Sequence, residues 1–533
     1  MYRLSLLFLL IISQSISFAQ STLITPGNGQ ASIQATTNTN GVLIPRMNTT
    51  ERNQITNKSQ GTTIYNTESN KLEYWDGTQW QTMVTNYNTA ACDEYCPPRP
   101  VISKTIGLDY YLGNSGTDMV NAVALATPNA PTSIYYVTGR ANQFLSNSSG
   151  YFLSNYNAVP QPWERRAANA SGYDVAVDGA GNIYTTGYFS TNAYVTTDFG
   201  SGSLTSQGGN DIFLAKYDQN GTLLWVRTAG SPGDDLGKAI AFDASNNVYL
   251  TGYFSGTVSA WGINSAGGKD IFIATYNSNG TFLSASRAGG PTDDEAKDIN
   301  LTNGFGVIGG YFTGTAGFGA NNYTSNGGTD MFLATFNSSG IIQKTLTAGG
   351  LGDDIINGIF SFGNNGIFLT GSFSDILTLP ALPTGTMSVS SAGGKDMFLA
   401  KLVPDYANNN DLKVRMLTRG GGPNDDEGIK VSVVGTDPSS AFLSIFVAGN
   451  FSGNADFGGP FLVSNTNSGF LAKYNALGQY EYGRALSKTS NSSVTDLTTP
   501  LLSDKPYTVG SFTPFGWNNH GAYQPIMQLW TMP

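Results

Sequence analysis

The side chains best placed to do chemistry are four acidic pairs, Asp234-Asp235, Asp293-Asp294, Asp353-Asp354 and Asp425-Asp426, with Asp118 at the same offset. Glu295 and Glu427 extend two of them. Most follow a glycine-rich turn such as TAGS, RAGG or TAGG. Carboxylates and backbone carbonyls are the hard oxygen ligands that Ca²⁺ takes. Asp235, Asp294, Asp354 and Asp426 are therefore the candidate metal ligands, and Ca²⁺ the candidate cofactor. A plainer reading competes with this: Asp in such turns accepts hydrogen bonds from nearby backbone N–H groups. The stretch Ala168–Asp174 (ANASGYD) breaks the pattern, so a ring of these pairs would be incomplete. Paired carboxylates can also run glycoside hydrolysis, but no two of them are marked out as acid and base.

Other chemistry is sparse. His520 is the single histidine, which excludes a hydrolase built on a histidine metal cluster. The chain has no G-x-S-x-G elbow and no phosphate-binding loop. Asp211, Asp270, Asp330 and Asp396 each follow Gly-Gly-x and read as turn residues, as do Asp178 and Asp243. Cys92 and Cys96 are the only cysteines, and in an oxidising compartment they are expected to form a disulfide. With 37 acidic against 27 basic residues and a net charge of −10, the chain is a poor nucleic-acid binder. No catalytic residue is assigned, and a non-enzyme is expected.

The acidic pairs recur because a whole unit recurs, most clearly from Asn247 to Gly290. Glycines at 139, 187, 252, 310, 371, 449 and 510 precede variants of YFS and lie roughly 62 residues apart on average, a propeller or solenoid period. A second phrase keeps step with them: DIFLAKY at Asp211–Tyr217, DIFIATY at Asp270–Tyr276, DMFLATF at Asp330–Phe336 and DMFLAKL at Asp396–Leu402. These short, β-branched and aromatic runs between Gly and Asn clusters read as strands. In DIFLAKY, Ile212 and Leu214 point one way and Phe213 and Ala215 the other, so the strand must be covered on both faces. Asn220-Gly221, Asn279-Gly280 and Ser339-Gly340 turn the chain into a fourth strand. Four strands in seven units predict an all-β, seven-bladed β-propeller.

Residues 1–19 carry Arg3, an apolar run from Leu4 to Ile12 and a small-residue ending, and read as a cleaved signal peptide. The apolar run is too short to span a bilayer, so the mature chain is expected to be exported, without a transmembrane segment. Residues 20–90 read as a small β-rich module, 91–100 as a Cys/Pro-rich linker and 101–533 as the propeller. Val101–Gly107 lines up with a fourth strand that no unit precedes, while Gln524–Trp530 reads as a third strand that lacks a fourth. The N-terminal strand of the domain should therefore close the last blade. Extra residues at Asp375–Ser390 and Val403–Leu412 are expected as loops on a functional face.

Two resemblances extend this reading. GVLIPRM at Gly41–Met47 with GTTIYNTESNKLEYWDGTQW at Gly61–Trp80 resembles an N-terminal module of secreted bacterial surface and tail-fibre-like proteins, which implies self-association. GNIYTTGYF at Gly181–Phe189 with GGNDIFLAKYDQNGTLLW at Gly208–Trp225 resembles the SBBP-type bacterial propeller repeat, which implies the fold and leaves the role open. The expected role is a non-enzymatic interaction or scaffold protein of a bacterial envelope or surface, its partners envelope or outer-membrane proteins, as in an export or assembly complex. A glycan-binding surface adhesin and a carbohydrate-active hydrolase are the alternatives.

Overall fold

The structure, a computed structural model, describes residues 46–56, 58, 62–68, 71–75, 77–82, 101–107, 119–126, 135–144, 148–156, 163–190, 197–199, 203–302, 305–361, 366–405, 411–435, 443–488, 491–499, 506–512 and 524–531. The expected signal peptide, Cys92, Cys96, Asp118 and His520 lie outside the described residues. The chain divides into two compact units, between Cys96 and Pro97.

The first unit holds a sheet of β1 (Arg46–Met47), β2 (Thr63–Asn66), β3 (Lys71–Trp75) and β4 (Trp80–Thr82), in that order, with α1 (Thr49–Asn53) between β1 and β2. The helix is an addition to the predicted β-rich module, and it has a local cause. Asn48 Oδ1 accepts the Glu51 N–H at 2.8 Å and Glu51 Oε2 accepts the Asn48 N–H at 2.9 Å, a capping box that turns TTERN into one helical turn. Beneath it, buried Glu73 accepts from Arg52 Nη1 at 2.5 Å and from Asn66 Nδ2 at 3.1 Å. Among the described side chains of this unit, Ile64 is the one buried hydrophobic.

The second unit is an all-β propeller. Six four-stranded antiparallel sheets are each built from contiguous chain, against the seven equivalent blades expected. Their first strands are Met119–Leu125, Ala170–Val177, Leu236–Phe242, Glu295–Thr302, Ile355–Ser361 and Glu427–Val434, here blades 1 to 6. The remaining four-stranded sheet is a composite: Ser492–Thr498, Tyr507–Phe512 and Gln524–Thr531 are completed by Val101–Gly107. Thr105 stands opposite Gln528 in that last pairing, as the chain ends predict. Each first strand packs on the first strand of the next sheet, and Ser492–Thr498 packs back on blade 1, so the ring closes.

The core lies between sheets. Ile212 and Leu214 pack with Ile240, Val248 and Leu250 of blade 3, while Phe213 and Ala215 pack with Tyr151 and Leu153 of blade 1. The third strands of blades 2, 3 and 4 are accordingly buried at every residue. Outer strands are clamped as well: Arg227 Nε donates to the carbonyl of Gly280 in the next blade at 2.7 Å. Gly280 has φ +75°, and a Cβ there would press on Trp225, which is why this turn carries glycine.

Asp375–Ser390 is not a free loop. Ile376–Pro380 and Thr386–Ser390 form a hairpin, a longer version of the two-stranded hairpins of blades 2, 3 and 4, and Leu377 and Leu379 are buried in the blade 5 core. Val403 and Leu412 likewise belong to the extended pairing of Asp396–Asp405 with Asp411–Gly420.

Candidate functional site

All seven anchoring glycines do the same work. A Cβ at Gly139, Gly187, Gly252, Gly310, Gly371, Gly449 or Gly510 would collide with a first-strand carbonyl oxygen, from Met119, Ser171, Leu236, Glu295, Ile355, Glu427 and Ser493 respectively. In every sheet the first strand shifts register opposite this glycine, for example between Gly172 and Asp174 and between Ala296 and Asp298. Such a bulge bends the strand and re-aims the residue that follows. Those residues are Ala122, Asp174, Ala239, Asp298, Gly358, Lys430 and Asp496. The bulges thus bring three carboxylates and one ammonium together on the channel axis.

This layer forms the throat. Cavities of about 350 Å³ flank it on either side, and Asp174, Asp298, Lys430 and Asp496 line both. Lys430 Nζ lies 2.9 Å from each oxygen of Asp298. Each carboxylate also takes a backbone N–H from the neighbouring first strand. Asp174 Oδ2 accepts from Ile240 at 2.7 Å, Asp298 Oδ2 from Ile359 at 2.7 Å and Asp496 Oδ2 from Val123 at 2.8 Å. Burial pushes the Asp174 carboxyl up to about 7 and that of Asp496 up to about 6, against the opposing pull of Lys430. Burial disfavours the Lys430 ammonium, but Asp298, Asp496 and Asp174 outweigh it and hold its pKa above the usual lysine value.

A second cluster stands on blades 2 to 4. Buried Glu295 is shared by Lys297 Nζ at 3.0 Å and Lys238 Nζ at 3.2 Å, and Tyr311 Oη donates to it at 3.1 Å. Burial would raise the Glu295 carboxyl, yet the two lysines hold it below its usual value. Lys238 sits over the Tyr173 ring at 4.5 Å and Lys269 over Tyr253 at 4.5 Å. Tyr188, Tyr253 and Tyr311 of the YFS repeats are half-buried here, while Phe189, Phe254 and Phe312 go into the core.

The acidic pairs stand elsewhere, one immediately before the first strand of each of blades 3 to 6. Asp235, Asp294, Asp354 and Asp426 are at most 1 % exposed, and their oxygens face the backbone. Asp294 accepts N–H groups from Gly290 at 2.7 Å and Thr313 at 3.0 Å, and Asp426 those of Gly422 and Ser452 at 2.6 and 3.1 Å. Asp235 and Asp354 repeat the arrangement with Ser255 and Ser374. Burial pushes Asp294 and Asp426 up to about 7 and Asp354 up to about 6. Among the described residues, no three Asp, Glu, His or Cys side chains gather as a metal-holding group. Asp178 and Asp243 hold their hairpin turns through N–H groups two and four residues on, and Asp211 accepts from Gln207 at 2.7 Å. The throat residues are far apart in sequence and differ in type; the one signal along the chain is a charged residue just after the first-strand bulge in four of the seven sheets, at Asp174, Asp298, Lys430 and Asp496.

Three comparisons bear on the chain. Residues 23–94 match a family model described as a phage tail like trimerisation region. An uncharacterized WD repeat-containing protein of Acanthamoeba polyphaga mimivirus is 24% identical over 233 residues, which are 36% of this chain and 17% of that protein. The regulatory protein FlaEY of Caulobacter vibrioides is 26% identical over 298 residues, 49% of this chain and 31% of the relative. The chain thus spans less than a third of either relative's length. Among solved structures, Sqt1 from Chaetomium thermophilum is similar at a TM-score of 0.38 and 9% identity, covering 78% of this chain and 97% of Sqt1. The polysaccharide lyase Uly1 gives a TM-score of 0.39 and 10% identity over 78% of this chain and 90% of that one. The chain is a β-propeller protein whose N-terminal region is similar to phage tail-like trimerisation modules.

Proposed function

We propose that the protein is a non-enzymatic interaction scaffold, in which residues 23–94 assemble three copies and each copy carries one propeller. The match of that segment to a trimerisation region, ahead of the propeller unit, carries this reading. The first unit supports it, because a module with Ile64 as its one buried hydrophobic among the described side chains gains core by self-association. In the ring, the throat carboxylates are already engaged in holding first strands together, which suits a rigid frame. The composite sheet counts as a seventh blade and the repeats are of the SBBP type, as their shared glycine geometry supports. The chain is exported and works in the periplasm, at the outer membrane or on the cell surface, with envelope or outer-membrane proteins as partners.

A glycan-binding role is the second reading, favoured by the half-buried tyrosines and lysines around Glu295. Affinity capture of the full chain from native envelope, followed by mass spectrometry, separates the two. A stoichiometric envelope protein partner supports the scaffold; its absence, with the chain retained on envelope polysaccharide, supports the glycan-binding role. Release of reducing ends from polysaccharides, lost on a single Asp substitution, would replace it with a hydrolase.

A further inference from the structure

We propose that the charged throat is an acid-responsive latch on the ring: protons taken up by Asp174 and Asp496 relieve the repulsion among three carboxylates that share one ammonium, and losing them loosens the seams. The position of the bonds is the first ground. Asp496 to Val123 N spans the seam where the composite sheet meets blade 1, and Thr495 Oγ1 donates to the Val120 carbonyl across the same seam. Asp174 to Ile240 N ties blade 2 to blade 3, and Asp298 to Ile359 N ties blade 4 to blade 5. Charge balance is the second: three carboxylates face one ammonium, and Lys430 spends both short contacts on Asp298. Access is the third, because the flanking cavities reach all four groups.

The other charges nearby do not neutralise the layer. Lys430, Asp496 and Asp298 face Asp174, with Lys238 and Lys297 lining the same cavity but bound to Glu295. Lys430 and Asp298 face Asp496, and Glu427 of blade 6 lines its cavity. With carboxyls raised to about 7 and about 6, the native ring keeps protons that the unfolded chain has released above about pH 4. The stability they contribute is complete below that pH and is lost as the pH climbs through 6 to 7.

The test uses the full chain, K430M and the double variant D174N/D496N, melted at pH 5.5 and pH 8 at one ionic strength. K430M should lose more in melting temperature at pH 8 than at pH 5.5. The double variant should at least halve the wild-type difference between the two pH values. Deuterium uptake at Val123 and Ile240, corrected for intrinsic exchange, should rise with pH in the wild type and flatten in the double variant. Equal K430M deficits at both pH values, or an unchanged wild-type difference in the double variant, would overturn the latch. Should K430M fail to fold at either pH, the double variant decides.

Discussion

The Lys430 ammonium reaches Asp298 across blade 5, whose residue at the same position is Gly358. A Cβ on Gly358 would lie 2.9 Å from Lys430 Cα and 2.8 Å from the Ile429 carbonyl. The glycine lets the blade 6 backbone close in, so the one throat cation and its carboxylate meet over a blade that contributes no side chain to the layer.

Gly371→Ala should destabilise the propeller by about 1–3 kcal/mol, the cost of forcing extra volume into a packed site. Its Cβ would collide with the Ile355 carbonyl. Gly179→Ala, whose nearest neighbour is the Asn246 side chain at 3.8 Å, is the control and should be close to neutral. Urea denaturation of both variants checks this.

Asp294→Ala should cost about 2–4 kcal/mol, because it leaves the buried N–H of Gly290 and the half-buried N–H of Thr313 without an acceptor. The loss should be the same with millimolar Ca²⁺ or with EDTA. A melting temperature that rises with Ca²⁺ in the wild type, and no longer rises in the variant, would restore the cation reading of the acidic pairs.

Thr105→Cys with Gln528→Cys should form a disulfide under oxidising conditions and raise the melting temperature. The two residues are direct partners across an antiparallel pair, where the Cα spacing of about 4.5–5.5 Å suits a bridge. Failure to crosslink would show that the ring is not closed by residues 101–107.

Glu73→Ala should melt the first unit alone. It removes the acceptor for Arg52 and Asn66 from a buried position in that unit. Calorimetry should show the transition of the first unit shifting to lower temperature and that of the propeller unmoved.

Much of the propeller was legible because its constraints are local. A glycine that backbone oxygen will not let carry a Cβ must recur at every bulge, and a strand buried on both faces must be apolar at successive residues, as Ile212 to Ala215 are. The strand at Ile376–Pro380 carries the same signal in its alternation, with Leu377 and Leu379 buried and Ile376 and Thr378 exposed. Asp174, Asp298, Lys430 and Asp496 were hidden for a different reason. Their meeting is set by ring closure between segments more than a hundred residues apart in the Lys430–Asp298 case, and no spacing rule along the chain encodes it. The helix at Thr49–Asn53 rests on Asn48 and Glu51, an N-cap signal carried by four residues.

Sedimentation equilibrium of the mature full chain tests the scaffold most directly. Three chains per particle across a tenfold concentration range are expected; a single chain throughout would contradict assembly by residues 23–94.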